Sequence, residues 1–362
     1  MSLSLQPTTS RRIALTTSAV VTAVVFAAPA PGVDLRSAIA FHDFGHVLAF
    51  GFVTVLLWYG VPFRGRQSLG RRMGGVAAVV LAAIALGVLV EILQWVTGGN
   101  GDVDDAIRDA AGTLAAALLI LALTTTRWGP SRVVLSLASA IVVLTAAYPA
   151  LAAFSDESVA RAQFPVLASF ERQIELSRFD LRRAEHVELS STEDDRGVTV
   201  PAMRLDLPVG RYPGFALRYF PRDWRGYAAL SLLMVNRAPT PLTVGIRIDD
   251  ARHNNERTDR YDGSFTLVPG PNRIEIPLSA VVSAPRGRLL DIAQIRTVRI
   301  FAGSLTEPRQ VLSARLRSCR AVNHSRSRAN AVQSAPCRYS GAAQRNPEFS
   351  QDHHAGPRFS PG

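Results

Sequence analysis

The chain has 362 residues, of which 48% are hydrophobic and 19% are charged, and its formal net charge is +11 at pH 7. All 40 basic residues are arginine, which excludes chemistry that depends on lysine, such as Schiff bases and lysine-containing phosphate loops. Residues 1–154 hold only 10 Arg and 7 acidic residues, and no segment concentrates the positive charge, so we expect neither a soluble cytoplasmic enzyme nor a nucleic-acid-binding protein.

Five apolar stretches in the first half are long enough to cross a membrane, since a span needs about 20 residues. They are residues 13–30, 40–61, 73–96, 106–125 and 133–154. Arginine is frequent before the first span and in alternate loops, which predicts a cytoplasmic N-terminus by the positive-inside rule. Five spans then place residues 155–362 on the periplasmic or extracellular side of a bacterial inner (plasma) membrane. The first stretch has an alternative interpretation as a cleaved signal peptide, because it ends in Ala28-Pro29-Ala30.

Polar side chains cluster at one predicted end of three of these spans. The candidate catalytic pocket consists of His42, His46, Glu91, Gln94, Asp105 and Asp109. Ionisable groups inside a span are costly and usually face the bundle interior or a water-filled cavity. Because the predicted topology brings all of them to the outward end, we expect one polar pocket that opens to the outside.

Three hypotheses remain open for this pocket. The side chains can form interhelical hydrogen bonds that hold the bundle together. They can process an envelope lipid headgroup, with Glu91 or Asp109 as general base, His46 as acid, and Arg36 or Arg108 near an anionic group. In the third, His42, His46 and Glu91 bind a divalent metal. The sequence does not define a metal site or a cofactor, so we assign neither.

The spacing of these residues resembles the VanZ-like family, which is named for a glycopeptide-resistance protein. The matching motifs are His42-x-x-x-His46, Glu91-x-x-Gln94 and Asp105-x-x-x-Asp109-x-x-Gly112, over residues 10–130. His42 and Asp43 replace the family's Asp-Lys pair. The resemblance implies a helical membrane fold more than it implies a reaction.

After a predicted connector at 155–170, the sequence changes to short alternating segments separated by turns. We predict strands at residues 185–190, 199–207, 214–220, 228–236, 242–249, 264–268, 273–276, 297–301 and 311–316. With no long amphipathic helix among them, these strands predict an antiparallel β-sandwich over residues 171–318. The fold class is therefore multi-domain, with an α-helical bundle over 1–154, an all-β jelly-roll sandwich, and a disordered tail over 319–362.

The second half also resembles carbohydrate-binding modules of the galactose-binding-like, jelly-roll type. The matching segments are Trp224-x-x-Tyr227, Ile246-Arg247-Ile248-Asp249-Asp250 and the turn Pro269-Gly270-Pro271-Asn272. A sugar site needs aromatic platforms and planar polar groups. The candidates are Tyr219, Trp224, Arg247, Asp249, His253, Arg260 and Tyr261. Two alternatives stay open: core packing for Trp224 and Tyr227, and calcium binding by Asp249 and Asp250.

Together these features predict a VanZ-like inner-membrane protein that presents a carbohydrate-binding sandwich to the cell envelope. The expected partners are membrane lipids and an envelope glycan or glycolipid, without nucleic acid. The alternatives are a membrane enzyme that processes a lipid-linked envelope intermediate at the polar pocket, and a purely structural membrane protein. The sequence indicates no oligomeric state.

Overall fold

The computed structural model describes residues 7–27, 35–60, 69–97, 102–124 and 129–319. The chain divides after Phe154 into two compact units, one helical and one built from β-strands. The predicted tail lies outside the described residues beyond Cys319, as do most of the arginine-rich loops on which the predicted topology depends.

The helical unit contains five helices: α1 (Pro7–Ala27), α2 (Arg36–Gly60), α3 (Leu69–Val96), α4 (Val103–Thr124) and α5 (Pro130–Gln163). Within the described residues, α2, α3, α4 and α5 are long and apolar enough to cross a membrane. The first predicted stretch is helical as α1, but it is not among these four. Its helix begins in a polar segment that includes Arg11 and Arg12, which lowers its mean hydropathy.

The helices bury small and branched apolar side chains against one another and expose large apolar ones. Val53, Ala83 and Ala122 are almost fully buried, whereas Leu81 and Leu144 are exposed on their helix surfaces. An apolar outward face with a small-residue interior is typical of helices that pack within lipid.

The predicted connector at 155–170 is not a free linker. Helix α5 continues through its first half to Gln163, and strand β1 (Val166–Ala168) occupies much of the rest. Asp156, near the end of α5, accepts a bidentate pair of hydrogen bonds at 2.8 Å from Arg178. Arg178 also donates to the carbonyl oxygen of Leu167 at 2.9 Å, so this buried guanidinium ties β1 to the last turns of α5.

The β-strand unit is a two-sheet sandwich whose paired strands are antiparallel. The remaining strands are β2 (Phe179–Arg183), β3 (Glu185–Glu193), β4 (Thr199–Leu207), β5 (Gly210–Arg211), β6 (Gly214–Leu217), β7 (Ala229–Asn236), β8 (Leu242–Asp250), β9 (Tyr261–Leu267), β10 (Gly270–Pro277), β11 (Ile295–Ala302), β12 (Ser304–Leu305) and β13 (Arg309–Cys319). One sheet has the order β10-β7-β13-β4-β3, with β1 also paired to β13, and the other has the order β2-β6-β11-β8-β9. A short helix, α6 (Leu278–Val282), follows β10.

The two sheets enclose a single large hydrophobic core. Alternate residues of β8 and β11, among them Ile246, Ile248, Val298 and Ile300, point into it, and the intervening residues form the outer face of the five-stranded sheet. All nine predicted strands are present, and β4 has the predicted bounds. Strands β1, β2, β5 and β12 were not predicted from the sequence.

Candidate functional site

The polar pocket depends on a close contact between α2 and α4. A Cβ atom added to Gly112 would lie 2.0 Å from the carbonyl oxygen of Val47 and 3.0 Å from the amide nitrogen of Gly51. Only glycine therefore allows this approach of the two backbones. Val47 is the residue after His46 on α2, and Gly112 lies about one turn after Asp109 on α4, so the contact brings these two side chains together.

His46 and Asp109 form a buried hydrogen-bonded pair. The distance between His46 Nδ1 and Asp109 Oδ1 is 3.1 Å, and the side chains are 7% and 1% exposed. The imidazole donates through Nδ1–H to the carboxylate. Gly87 on α3 makes room for Asp109, because a Cβ atom there would lie 3.0 Å from Asp109 Oδ2.

Glu91 joins this pair from the last turns of α3. One ligand atom from each of His46, Glu91 and Asp109 lies within 4.8 Å of the other two. The backbone N–H of Asp102 donates to Glu91 Oε2 at 2.8 Å, which fixes the carboxylate. The structure therefore brings together three residues from three helices that are far apart along the chain.

Two oxygen atoms of the cluster have no hydrogen-bond partner among the described residues. They are Glu91 Oε1 and Asp109 Oδ2, and both are buried. A buried carboxylate oxygen without a partner costs free energy. The interhelical hydrogen bonds of the described residues therefore leave these two oxygens unsatisfied.

The other predicted pocket residues lie at the rim. Asp105 Oδ2 is 3.9 Å from His46 Nε2, and Asp105 is itself paired with Arg108, which also contacts Asp43 at 3.3 Å. The ring of His42 meets that of His46 edge-on with 5.7 Å between centroids. Gln94 is half-buried one turn beyond Glu91.

Both arginines proposed for anion binding already contact other groups of the protein. Arg108 is engaged by Asp105 and Asp43. Arg36 donates to the carbonyl oxygen of Ala153 on α5 at 3.4 Å.

The second candidate site is on the outer face of the five-stranded sheet. Residues that are opposite in an antiparallel ladder share a face, so the strand register defines two adjacent rows. The first row is Asp180, Ala216, Arg299, Arg247 and Asp262, and the second is Arg183, Gly214, Phe301, Gly245 and Ser264. Arg247 belongs to the predicted sugar site, while Arg299 and Phe301 do not.

Phe301 provides an aromatic ring on this face that sequence reasoning missed. A Cβ atom on Gly245 would lie 2.6 Å from the ring, so the ring lies over this glycine, half-buried. Tyr212 packs edge-on against it at 5.8 Å between centroids. Because Gly214 and Gly245 come from separate strands, the primary sequence does not reveal this platform.

An open cavity of about 260 Å³ continues the face beyond Phe301. Its lining includes Thr243, Gly303, Glu307 and Arg309. Thr243 is two residues before Gly245 on β8, so the cavity and the ring lie on consecutive rows of the same sheet.

A hydrogen-bonded network joins the end of β8 to the loop after it and includes three of the predicted residues. Arg247 donates to Asp249 at 2.9 Å and contacts His253 Nε2 at 2.8 Å. His253 Nδ1–H in turn donates to the carbonyl oxygen of Asp259 at 2.9 Å. These contacts orient the Arg247 guanidinium at the edge of the outer face.

The calcium alternative does not fit Asp250. Its two carboxylate oxygens are bound by the Arg288 guanidinium at 2.6 and 2.8 Å, and the backbone N–H of Asp291 donates to it at 2.8 Å. Burial raises the pKa of Asp250, but these partners outweigh burial and the pKa is lowered. A hydrogen bond from the same Arg288 lowers the pKa of Asp259 to about 2. A guanidinium therefore occupies the position that a cation would take.

The remaining sugar-site candidates are less suitable as contacts. Trp224 is fully buried in the core and its indole N–H donates to the carbonyl oxygen of Pro221 at 3.0 Å, which agrees with the packing alternative. Tyr261 is also buried in the core. Arg260 is paired with Asp262 at 2.9 Å, and Tyr219 is half-buried after β6. The presence of an aromatic residue in the sequence therefore does not show whether its ring packs in the core or offers a surface to a sugar.

Part of the helical region is similar to a known protein family. Residues 2–124 match the VanZ/LLP1 family. No curated protein matches the chain.

Solved structures match the β-sandwich. The family 11 carbohydrate-binding module from Clostridium thermocellum is 16% identical, with a TM-score of 0.34 over 44% of this chain and 96% of that one. A family 30 carbohydrate-binding module of a cellulosomal cellulase from the same organism is 14% identical, with a TM-score of 0.27 over 38% of this chain and 87% of that one. An exo-beta-agarase is 14% identical, with a TM-score of 0.37 over 43% of this chain and 25% of that one, so the chain spans about a quarter of the agarase.

The four apolar helices and the two antiparallel sheets define a multi-pass membrane protein with a β-sandwich domain. Within its helical region, residues 2–124 are VanZ-like, which confirms the resemblance predicted from the His, Glu and Asp motifs.

Proposed function

We propose that this protein is a five-span, VanZ-like inner-membrane protein that binds an envelope glycan or glycolipid headgroup through its sandwich. In this proposal the N-terminus is cytoplasmic, and the sandwich has jelly-roll connectivity and lies on the periplasmic or extracellular side. The glycan binds the outer face of the sheet that contains β11 and β8.

The observation that carries the proposal is the Phe301 ring lying over Gly245 beside an open cavity. An aromatic ring held against a sheet provides an apolar platform, and planar polar groups next to it fix orientation. Arg247 and Arg299 are such groups. Arg299 lies two residues before Phe301 on β11, and Arg247 lies two residues after Gly245 on β8.

The charge of this face favours a glycan with an acidic group. Arg299 is directly opposite Arg247, and like charges in that position repel. Burial, and then the charge of Arg247, lower the pKa of Arg299. Asp249 holds Arg247 at 2.9 Å, and a carboxylate or phosphate on the glycan would bring a further negative charge and further hydrogen-bond acceptors to these two guanidinium groups.

Binding of defined saccharides to the full-length protein in nanodiscs tests the proposal. We expect an acidic glycan to bind more tightly than its neutral counterpart, and Phe301→Ala to weaken binding about tenfold, as for a central interface residue. Arg299→Gln should weaken only the acidic glycan. Arg204→Gln, on the other sheet, is the matched control and should bind normally. A panel without any binder, or equal affinities for Phe301→Ala and the unchanged protein, would overturn the proposal.

A second function is favoured by the pairing of His46 with Asp109 beside Glu91. These groups suit a membrane enzyme acting on a lipid-linked envelope intermediate, with a carboxylate as general base and His46 as acid. Mass spectrometry of lipid-linked intermediates in cells that express Glu91→Gln tests this function. We expect the substrate to accumulate at normal protein level, whereas Asp104→Asn, an exposed acid, should have no effect. Normal lipid profiles with Glu91→Gln would contradict the enzyme hypothesis.

A further inference from the structure

The cluster formed by His46, Glu91 and Asp109 has the donors of a metal site. One imidazole nitrogen and two carboxylate oxygens lie within 4.8 Å of one another. Each comes from a different helix, so the tertiary fold and not local sequence brings them together. We propose that these three side chains bind one divalent first-row transition metal ion, for which Zn²⁺ is the natural probe.

The unpartnered oxygens are independent support for a cation. Glu91 and Asp109 are 8% and 1% exposed, and within the part of the chain that the structure describes Glu91 Oε1 and Asp109 Oδ2 have no hydrogen-bond partner. Two buried carboxylates need a positive partner in an apolar bundle. The nearby guanidinium of Arg108 is already shared between Asp105 and Asp43, so it does not supply that charge to both oxygens.

The geometry is compatible with coordination. His46 Nδ1 and Asp109 Oδ1 are 3.1 Å apart, close to the separation of about 3.3 Å between two ligands of a tetrahedral ion bound at ~2.0–2.1 Å. Upon binding, the metal replaces the proton between these atoms. Three protein ligands leave a fourth position open to water or to an oxygen atom of a headgroup.

The surrounding contacts resemble those that orient metal ligands. The backbone N–H of Asp102 holds Glu91 Oε2 at 2.8 Å, which leaves Oε1 for the ion. Asp105 lies 3.9 Å from His46 Nε2, the non-coordinating nitrogen, which is beyond hydrogen-bond distance. Of these two contacts, the hydrogen bond to Glu91 is the one that fixes the orientation of a ligand.

The ligand set differs from the one that the sequence suggested. The two histidines at i and i+4 pointed to His42 as a ligand, but among the described residues only His46, Glu91 and Asp109 form a group of the required size. His42 Nδ1 lies 3.9 Å from its neighbour Asp43. His42 is therefore a matched control for His46.

Metal content of the purified full-length protein in nanodiscs tests the inference. After chelation and equilibrium dialysis against Zn²⁺, we expect one ion per chain by elemental analysis. Glu91→Gln and Asp109→Asn should each lower Zn²⁺ affinity at least tenfold, and His42→Gln should leave it unchanged. Less than a fifth of an equivalent in the unchanged protein, or equal losses with His42→Gln and Glu91→Gln, would overturn the inference.

A measurement on the unchanged protein avoids dependence on how the variants fold. Co²⁺ in place of Zn²⁺ should produce the intense visible absorption of a four-coordinate ion, and one equivalent of Zn²⁺ should remove it. A spectrum of hydrated Co²⁺ alone would contradict the site. Neither measurement involves glycans or enzyme turnover. A negative result would therefore contradict the metal site without contradicting the proposed functions.

Discussion

Two pairs of buried acidic residues differ in how completely they are hydrogen-bonded. In the unit that begins at Ser155, both oxygens of Asp156 accept bonds from Arg178, and both oxygens of Asp250 accept bonds from Arg288. In the helical unit, Glu91 and Asp109 each keep one buried oxygen that has no hydrogen-bond partner among the described residues. Complete pairing is typical of a structural role, whereas incomplete pairing at buried carboxylates is found where a ligand or ion binds.

The two regions also differ in what their arginine side chains contact. The sandwich uses arginine to hold its loops and its first strand in place. The helical region directs its nearest arginine, Arg108, to the rim of the pocket, so the carboxylates behind it stay available. The following predictions test whether the two clusters differ as proposed.

The largest effect is expected from removing the guanidinium that pairs with Asp156. Arg178→Met removes the bidentate partner of the buried Asp156 carboxylate and leaves it the partly exposed Arg172 at 3.1 Å. Breaking a buried ion pair in this way typically costs about 3–5 kcal/mol. The measurement is the urea midpoint of the β-sheet circular dichroism signal in the detergent-solubilised full chain. Arg182→Met is the control, because Arg182 makes an analogous pair with Asp180 at 2.9 Å but is 67% exposed. Arg182→Met should lower the free energy of unfolding by about 0–1 kcal/mol. Equal losses in the two variants would show that burial of an ion pair does not determine its contribution to stability.

An intermediate effect is expected where α2 and α4 touch. Gly112→Ala places a methyl group against the Val47 carbonyl oxygen, forces the helices apart, and should destabilise the helical region by ~1–3 kcal/mol. Thermal unfolding in detergent measures the loss. Because the substitution moves Asp109 away from His46, bound Zn²⁺ should fall as well.

Gly45→Ala is the matched control for this substitution. Nothing lies within 4 Å of a Cβ atom on Gly45, although it is adjacent to His46. Its stability and Zn²⁺ content should be unchanged or slightly higher, because alanine favours helix. A loss as large as that of Gly112→Ala would contradict the role of the contact.

The smallest effect is a pH dependence of the sandwich. The pKa of Asp259 is about 2, below the unfolded value of about 3.9. The stability from this carboxylate is therefore present above pH ~4 and is lost as the pH falls towards ~2. Asp259→Asn should weaken the decline of the urea midpoint between pH 4 and 2 and leave the pH 7 to 5 interval unaltered. If the urea midpoint of the variant declines as steeply as that of the unchanged protein, Asp259 does not cause this pH dependence.

Much of the fold follows from patterns within single segments. Strand β4 alternates apolar and polar residues from Met203 to Leu207, and its observed bounds are the predicted ones. Strands β5 and β12 have two residues each, too few to show a period. Helix α5 passes beyond its apolar segment because residues 155–163 are rich in helix-forming alanine and charged side chains.

The site was predictable in composition but not in geometry. The spacing of His46, Glu91 and Asp109 indicated one pocket, because each lies at the same predicted end of its span. The two unpartnered oxygens depend on helix rotation and on the contact at Gly112, which no local pattern encodes. Phe301 was missed for a similar reason, because its platform is formed by a glycine on a different strand.

X-ray absorption at the zinc edge of the reconstituted full-length protein tests the central claim most directly. The pocket predicts one imidazole nitrogen and two or three oxygen atoms at ~2.0–2.2 Å from the metal, with the spectrum unchanged in His42→Gln. Two imidazole ligands, or a hydrated ion without protein ligands, would contradict the assignment of the unpartnered carboxylates to metal binding.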